Sequence, residues 1–393
     1  MQEPRYAWVV VSAVFVALAV IFGVAYSFAA FFASFETEFG AHRADVAMVF
    51  GLSGLVYFVL GAGGGILSDR FGPRVVCSAG MLCIAAGLAG ASLADSMFAI
   101  YAAYGVGIGV GIALVYTPAM ACVQPWFTQR RGLAAGLASA GIGAGTVVLP
   151  LVAAWAISAL QWRGALRALA LTALLVGLAA TLLLRRAPVA SSAVGGKPSG
   201  ASLAEALRNR RFWWLYLACF MAAPSMFIPF AHVSASARDL GIDAPRAVGL
   251  VGLIGIGSLV GRFAIGALAD RIGRTLTLVL AQVSMGAAYL LWQAAGGYAA
   301  LAVFALWFGL SYGGIVSMLP ALCMDLFGAR AVASILGTLY TGAAAGNLLG
   351  PVLAGAAFDA TGSYAPIRWA CLALSAVAAL ASARLMVLGG PRY

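Results

Sequence analysis

The chain has 393 residues, of which 63% are apolar and only 9% charged, and its mean hydropathy is +1.01. Soluble domains carry about 45–50% apolar and about 25% charged residues, so the composition excludes a soluble enzyme or binding module and implies an integral membrane protein. The net charge of +11 does not indicate nucleic acid, because all but one of the 23 cationic residues sit in short breaks between apolar runs.

A helix crosses roughly 30 Å of hydrocarbon with about 20 apolar residues. In chain order, runs of that kind lie near residues 7–34, 46–67, 75–94, 98–122, 133–160, 165–184, 212–237, 247–269, 275–295, 298–324, 331–357 and 366–388. They predict an all-α membrane protein of twelve transmembrane helices. The first run is too long for a signal-peptide core. The long polar interruption contains Ser191, Ser192, Gly195, Gly196, Lys197 and Pro198, a composition that reads as a flexible linker. It divides the chain into a six-helix half over 1–184, a linker over 185–210 and a second half over 211–393. The six cysteines fall inside apolar runs with no Cys-x-x-Cys pair and read as small core residues.

Two turns repeat each other across the halves: Gly65-Ile-Leu-Ser-Asp69-Arg70-Phe-Gly72-Pro-Arg74 and Gly266-Ala-Leu-Ala-Asp270-Arg271-Ile-Gly273-Arg274. Each follows a long apolar run, so the bundle is duplicated, a common plan in transporters. Most of the loop cations lie on the side of the termini, including Arg70, Arg74, Arg130, Arg131, Arg271 and Arg274. The opposite loops carry Arg43, Arg163, Arg167, Arg238, Arg246 and Arg368. The positive-inside rule therefore puts both termini in the cytoplasm. Glycines at 105, 107, 109 and 111, at 141, 143 and 145, and at 342, 346 and 350 place small residues along helix faces and predict close helix packing.

All 12 acidic residues lie at span ends or in loops, whereas Arg262 lies within a span. Its distance from the Asp270 turn is about 12 Å at roughly 1.5 Å per residue, near the middle of the bundle. An arginine there needs an anionic partner, and no carboxylate is available at that depth, so the expected partner is the substrate. The planar guanidinium fork fits a carboxylate, which points to an organic acid anion. His232 lies about 9 Å deep in the seventh span by the same rise, close enough for a small anion or water to bridge it to Arg262, and histidine titrates in the range that suits a proton carrier. Tyr26, Tyr116, Tyr312, Tyr340 and Asn347 add hydrogen-bonding tips for a pocket.

The duplicated turns resemble the loop signature of the major facilitator superfamily. The stretches Tyr26-Ser-Phe-Ala-Ala-Phe-Phe32, Asp69-Arg70-Phe-Gly-Pro73-Arg74, Trp126-Phe-Thr-Gln-Arg130-Arg131-Gly-Leu-Ala134 and Ala140-Gly-Ile-Gly-Ala-Gly145 resemble its bacterial monocarboxylate transporter and oxalate/formate antiporter branch. The resemblance covers essentially the whole chain. It implies two pseudo-symmetric six-helix halves and a bacterial inner-membrane location. It also implies an anion-binding arginine at Arg262, a histidine at His232, and tyrosines at Tyr116 and Tyr312 in the fourth and tenth helices. By the same resemblance, Asp69, Arg70, Arg74, Asp270, Arg271 and Arg274, with Arg130 and Arg131, are expected to brace the cytoplasmic ends in the outward-open state, in contacts that break and remake as the halves rock.

Two departures narrow this reading. Ser258 stands where animal members have an acid one turn before the arginine, so another group must carry any proton. Ala343 stands where the oxalate exchanger has a lysine, which favours a monoanion over a dianion. The resulting expectation is a proton symporter of small monocarboxylates, acting as a monomer in lipid, with no cofactor, metal or nucleic acid. A loaded carrier with a monoanion and a protonated His232 carries the same charge as the empty one, so the membrane potential would not oppose uptake. The alternatives are a proton-independent organic-anion exchanger and, more remotely, a membrane sensor that transports nothing. A cation effluxer is disfavoured by an intramembrane arginine without an acid.

Overall fold

The computed structural model describes residues 5–127, 131–187, 200–328 and 330–388. In a lipid environment backbone N–H and C=O groups find partners only within their own helix, so apolar runs of this length fold as helices. They are α1 (Arg5–Phe39), α2 (Arg43–Phe71), α3 (Pro73–Ala91), α4 (Met97–Val123), α5 (131–160) and α6 (162–182) in the first half. The second half holds α7 (Arg210–Asp239), α8 (Ala244–Ile272), α9 (Arg274–Ala294), α10 (Tyr298–Phe327), α11 (Val332–Thr361) and α12 (Ala365–Val387). Eleven continuous helical segments are long and apolar enough to cross a membrane, and the longest, Ala134–Leu182, has 49 residues. Gln161, at φ 60° and ψ 170°, breaks that segment into α5 and α6, which gives the twelve spans.

The duplication is visible in backbone angles. Gly72, at φ 91° and ψ 152°, separates α2 from α3, and Gly273, at φ 89° and ψ 142°, separates α8 from α9. Side chains rarely adopt such positive φ values, so each signature turn requires its glycine. The packing repeats as well: α1 lies on α5 as α7 lies on α11, and α2 on α4 as α8 on α10. The halves meet along α2 with α11 and α5 with α8, one contact seen twice under the repeat. Large apolar side chains such as Phe98, Leu380 and Trp155 are more than two-thirds exposed, as befits a surface that faces acyl chains.

Part of the segment between the halves is ordered. Ser202 and Glu205 form a capping box for a short helix, Leu203–Arg208, and the Ala201 backbone N–H donates to Phe327 O at 2.7 Å. The bonds that Glu205 accepts from Ser202 hold its carboxyl below the usual range. Positions 188–199 lie outside the described residues.

Backbones touch where glycines face each other. A Cβ on Gly313 would sit 2.1 Å from Ser258 O, and one on Gly309 would sit 2.2 Å from Ile254 O. This seam clamps α8, the helix of Arg262, against α10, and it confirms close packing as the use of small residues in lipid. Gly313→Val should push these helices apart at a cost of about 1–3 kcal/mol, read as a lower midpoint of thermal unfolding in detergent. Gly337→Ala, where a Cβ meets nothing within 4 Å, should leave the midpoint unchanged or slightly raised.

Candidate functional site

Between the halves lies a cavity of about 90 Å³, lined by residues of α1, α2, α4, α5 and α7 to α11. A water needs about 10–15 Å³ of such space, so the volume suits a molecule of a few heavy atoms. The wall is mostly apolar, with Phe22, Phe58, Met226, Phe227, Ile315 and Leu319 among its members. Its polar members are Tyr26, Tyr57, Tyr116, Tyr312, Tyr340, Gln282 and Arg262, and no carboxylate is among them.

Arg262 faces this space from α8. Its Nε is buried without a hydrogen-bond partner, and among the described residues the guanidinium has no ion pair. Tyr26, Tyr57, Tyr116, Tyr312 and Tyr340 line the same chamber. The arrangement is a cation in an apolar chamber ringed by neutral hydroxyls, which stabilises one negative charge.

The chamber is roofed on the side opposite the termini. The Tyr26 and Tyr312 hydroxyls, from α1 and α10, share a hydrogen bond of 3.1 Å, and Phe230 stacks on Tyr26 at 4.2 Å between ring centroids. Asn347 donates from α11 to Gly51 O of α2 at 3.2 Å. It lines a smaller cleft beside the chamber, so it acts as a brace between halves in this conformation. Tyr116 packs edge-on against Phe22 at 5.5 Å, and Tyr340 lies 5.8 Å from Phe58.

Above the roof, a polar cluster closes the bundle. Arg43, at the start of α2, donates through Nη1 and Nη2 to both carboxylate oxygens of Asp239, each at 2.7 Å. It also donates to the Tyr364 hydroxyl at 2.9 Å and to Glu36 Oε1 at 3.3 Å, and its guanidinium lies 3.8 Å from the Phe358 ring centre. Asp359, at the end of α11, accepts from the backbone N–H groups of Arg43 and Ala44 at 3.1 and 3.0 Å. One half thus caps the helix amino terminus of the other, where the dipole favours negative charge. Arg43 is only 11% exposed in its side chain, so these bonds are protected from screening.

His232 belongs to this cluster and does not line the chamber. Its Nε2 faces Pro351 O at 2.8 Å, and a carbonyl can only accept, so Nε2 carries the hydrogen. Nδ1 then accepts from the Tyr364 hydroxyl at 2.9 Å, which in turn accepts from Arg43. The sequence spacing sets His232 close to Arg262 along the membrane normal, but the structure turns His232 to Pro351 O and Tyr364 and leaves it out of the lining that holds Arg262. Phe230, two residues earlier on the same helix, packs against the Tyr26 and Tyr312 rings at the chamber.

At the end bearing the termini, Asp69, Arg70, Arg74, Asp270 and Arg271 are exposed. Arg186 donates to the backbone carbonyls of Ser68 and Asp69. The Arg70 guanidinium lies over Phe71. Arg274 reaches Asp325 at 2.5 Å and, more loosely, Asp270 at 3.8 Å. These contacts stay within one half. Arg130 and the side chain of Arg131 lie outside the described residues. The hydrogen bonds seen between the halves lie at mid-depth or on the opposite side, so this is the conformation closed at the Arg43 end.

Tyr57, Gln282 and the Arg43 cluster were not singled out from the sequence. Arg43 carried a signal, as a cation in an outer loop, but its partners at 239, 359 and 364 are brought near only by the fold. A chamber between two six-helix repeats, roofed at one end, defines a membrane transporter. The model of the Major Facilitator Superfamily matches residues 14–351 and 225–392, and the chain belongs to that family. Monocarboxylate transporter 13 of Bos taurus is 33% identical over 91% of this chain and 84% of its own. The MFS-type transporter opdF of Penicillium oxalicum is 31% identical over 91% and 85%. A crystal structure of a bacterial homologue of the human lysosomal transporter Spinster, inward-facing and unoccupied, shares the fold with a TM-score of 0.75 at 16% identity, over the whole of both chains.

Arg43→Ala should release the closed end. Losing charge-assisted bonds worth about 2 kcal/mol in all shifts the balance of conformations by roughly 30-fold. The check is the rate at which a membrane-impermeant maleimide labels Ser234→Cys, a buried position in the cleft below Arg43, with the native cysteines replaced by serine. The rate should rise when Arg43→Ala is added.

Proposed function

We propose that this protein carries small monocarboxylate anions across the membrane by alternating access, with Arg262 as the anion site. The observation that carries the reading is the unpaired guanidinium facing a chamber without acids. Its fork matches a carboxylate in two parallel bonds, and the surrounding hydroxyls can donate to the same oxygens. Ala343 lines the chamber as well, so a single cation is present where a dianion would need two. The similarity to monocarboxylate transporters over nine-tenths of the chain agrees with this.

We assign the termini to the cytoplasmic face, on the loop-charge bias, and the membrane to a bacterial inner membrane, on the sequence resemblance. In that orientation the conformation faces inward. Proton symport through His232 fits the cluster geometry. With Tyr364 held by Arg43, His232 is neutral and fully bonded. When the outer end opens, Tyr364 is freed and Nδ1 can take a proton from outside.

The second reading is proton-independent exchange of organic anions, favoured by the absence of His232 from the chamber lining. Uptake of labelled L-lactate into proteoliposomes, with and without an inward proton gradient, separates the two. Symport requires gradient-driven uptake. Arg262→Ala should lower it by about 30-fold or more, in line with about 2–5 kcal/mol for truncating one partner of a buried charge pair, and Arg262→Lys should not restore it. His232→Gln should abolish proton co-transport. Proton flux retained in that variant would eliminate His232 as carrier, and uptake driven only by an internal counter-anion would establish exchange.

A further inference from the structure

The chamber contains a second polar group that the anion site does not use. Gln282 lies on α9, a helix that packs on α8, α10 and α12. A long amide there can bond a neighbouring helix or reach between α8 and α10 toward the chamber. The side chain lines the same space as Arg262, is 2% exposed, and its Oε1 has no hydrogen-bond partner among the described residues. Leu278, one turn earlier on α9, and Ile315 and Leu319 from α10 are the apolar wall around it. A buried amide oxygen left unpaired is destabilising, and packing alone would be served as well by leucine or methionine at this place. An amide also differs from the hydroxyls and the guanidinium in the chamber, because its donor and its acceptor sit on separate atoms of one planar tip.

We propose that Gln282 is a specificity-determining residue that binds the second functional group of the substrate, the hydroxyl or oxo group beside the carboxylate. This rests on the reading of Arg262 as the carboxylate site. With the carboxylate on the guanidinium, a 2-hydroxyl can donate to Oε1 and a 2-oxo group can accept from Nε2. An unsubstituted acid of the same length leaves the amide unpaired. A site built to hydrogen-bond a substrate group rejects the analogue that lacks it, whereas a purely apolar wall discriminates weakly.

The test compares lactate with propionate, which differ by that hydroxyl alone, as rival substrates of the intact protein in proteoliposomes. The wild-type protein should favour lactate. Gln282→Leu should lower kcat/KM for lactate about 10- to 100-fold and leave that for propionate within about twofold, so that the preference collapses. Gln282→Met, with similar length and no amide, should behave the same way. The ratio is internal to each preparation, so a loss of folded protein cancels. A lactate-to-propionate ratio unchanged in both variants, or an equal fall for both acids, overturns the role of Gln282 and leaves Arg262 untouched. If the wild-type protein takes up neither acid, whether driven by a proton gradient or by an internal counter-anion, the reading of Arg262 as a small-monocarboxylate site itself fails, and the proposal with it.

Discussion

A guanidinium in a medium that solvates charge poorly must be matched by an anion or by an array of oriented dipoles. Arg262 is held in the middle of the bundle with tyrosine hydroxyls nearby and no carboxylate in the lining. The rest of the structure follows from keeping that charge in place and covered. Glycine seams fix α8 against α10, so the cation cannot move away from the chamber. The Tyr26–Tyr312 bond and Phe230 shut out water from one side. An anion placed there would do more for the protein than fill space, because it would lower the electrostatic cost of keeping the guanidinium buried.

The two halves are joined by unlike means at their two levels. Near the chamber the contacts are rings and neutral hydrogen bonds, which can slide or exchange partners at small cost. At the closed end they are charge-assisted: a bidentate Arg43–Asp239 pair and the Asp359 cap on α2. The stronger bonds sit farthest from the chamber. His232 connects this lock to α11 through Pro351 O and to Arg43 through Tyr364.

The architecture was legible because lipid imposes simple rules: span length, loop charge and a repeated turn are all written along the chain. Arg262 was legible because a charge in such a run is rare. Tyr57 and Gln282 were not, since a neutral polar residue in an apolar run gives no sign of whether it faces a chamber, a neighbouring helix or lipid. Rise per residue gave His232 a depth but not the direction of its side chain, which in the structure turns to Pro351 O and Tyr364. The break at Gln161 carries neither glycine nor proline, and the helical hydrophobicity on both sides merely suggested a short connection there.

The cap that Asp359 places on α2 has one more implication. The first amides of α2 owe their acceptors to the other half of the molecule, so that helix is finished only while the halves touch. When they part, the end of α2 must find water or fray, and secondary structure in one repeat becomes a function of the distance to the other. The transport cycle is then written into local helix–coil balance, and hydrogen exchange at Arg43 and Ala44 follows the occupancy of the closed state without any label in the substrate path.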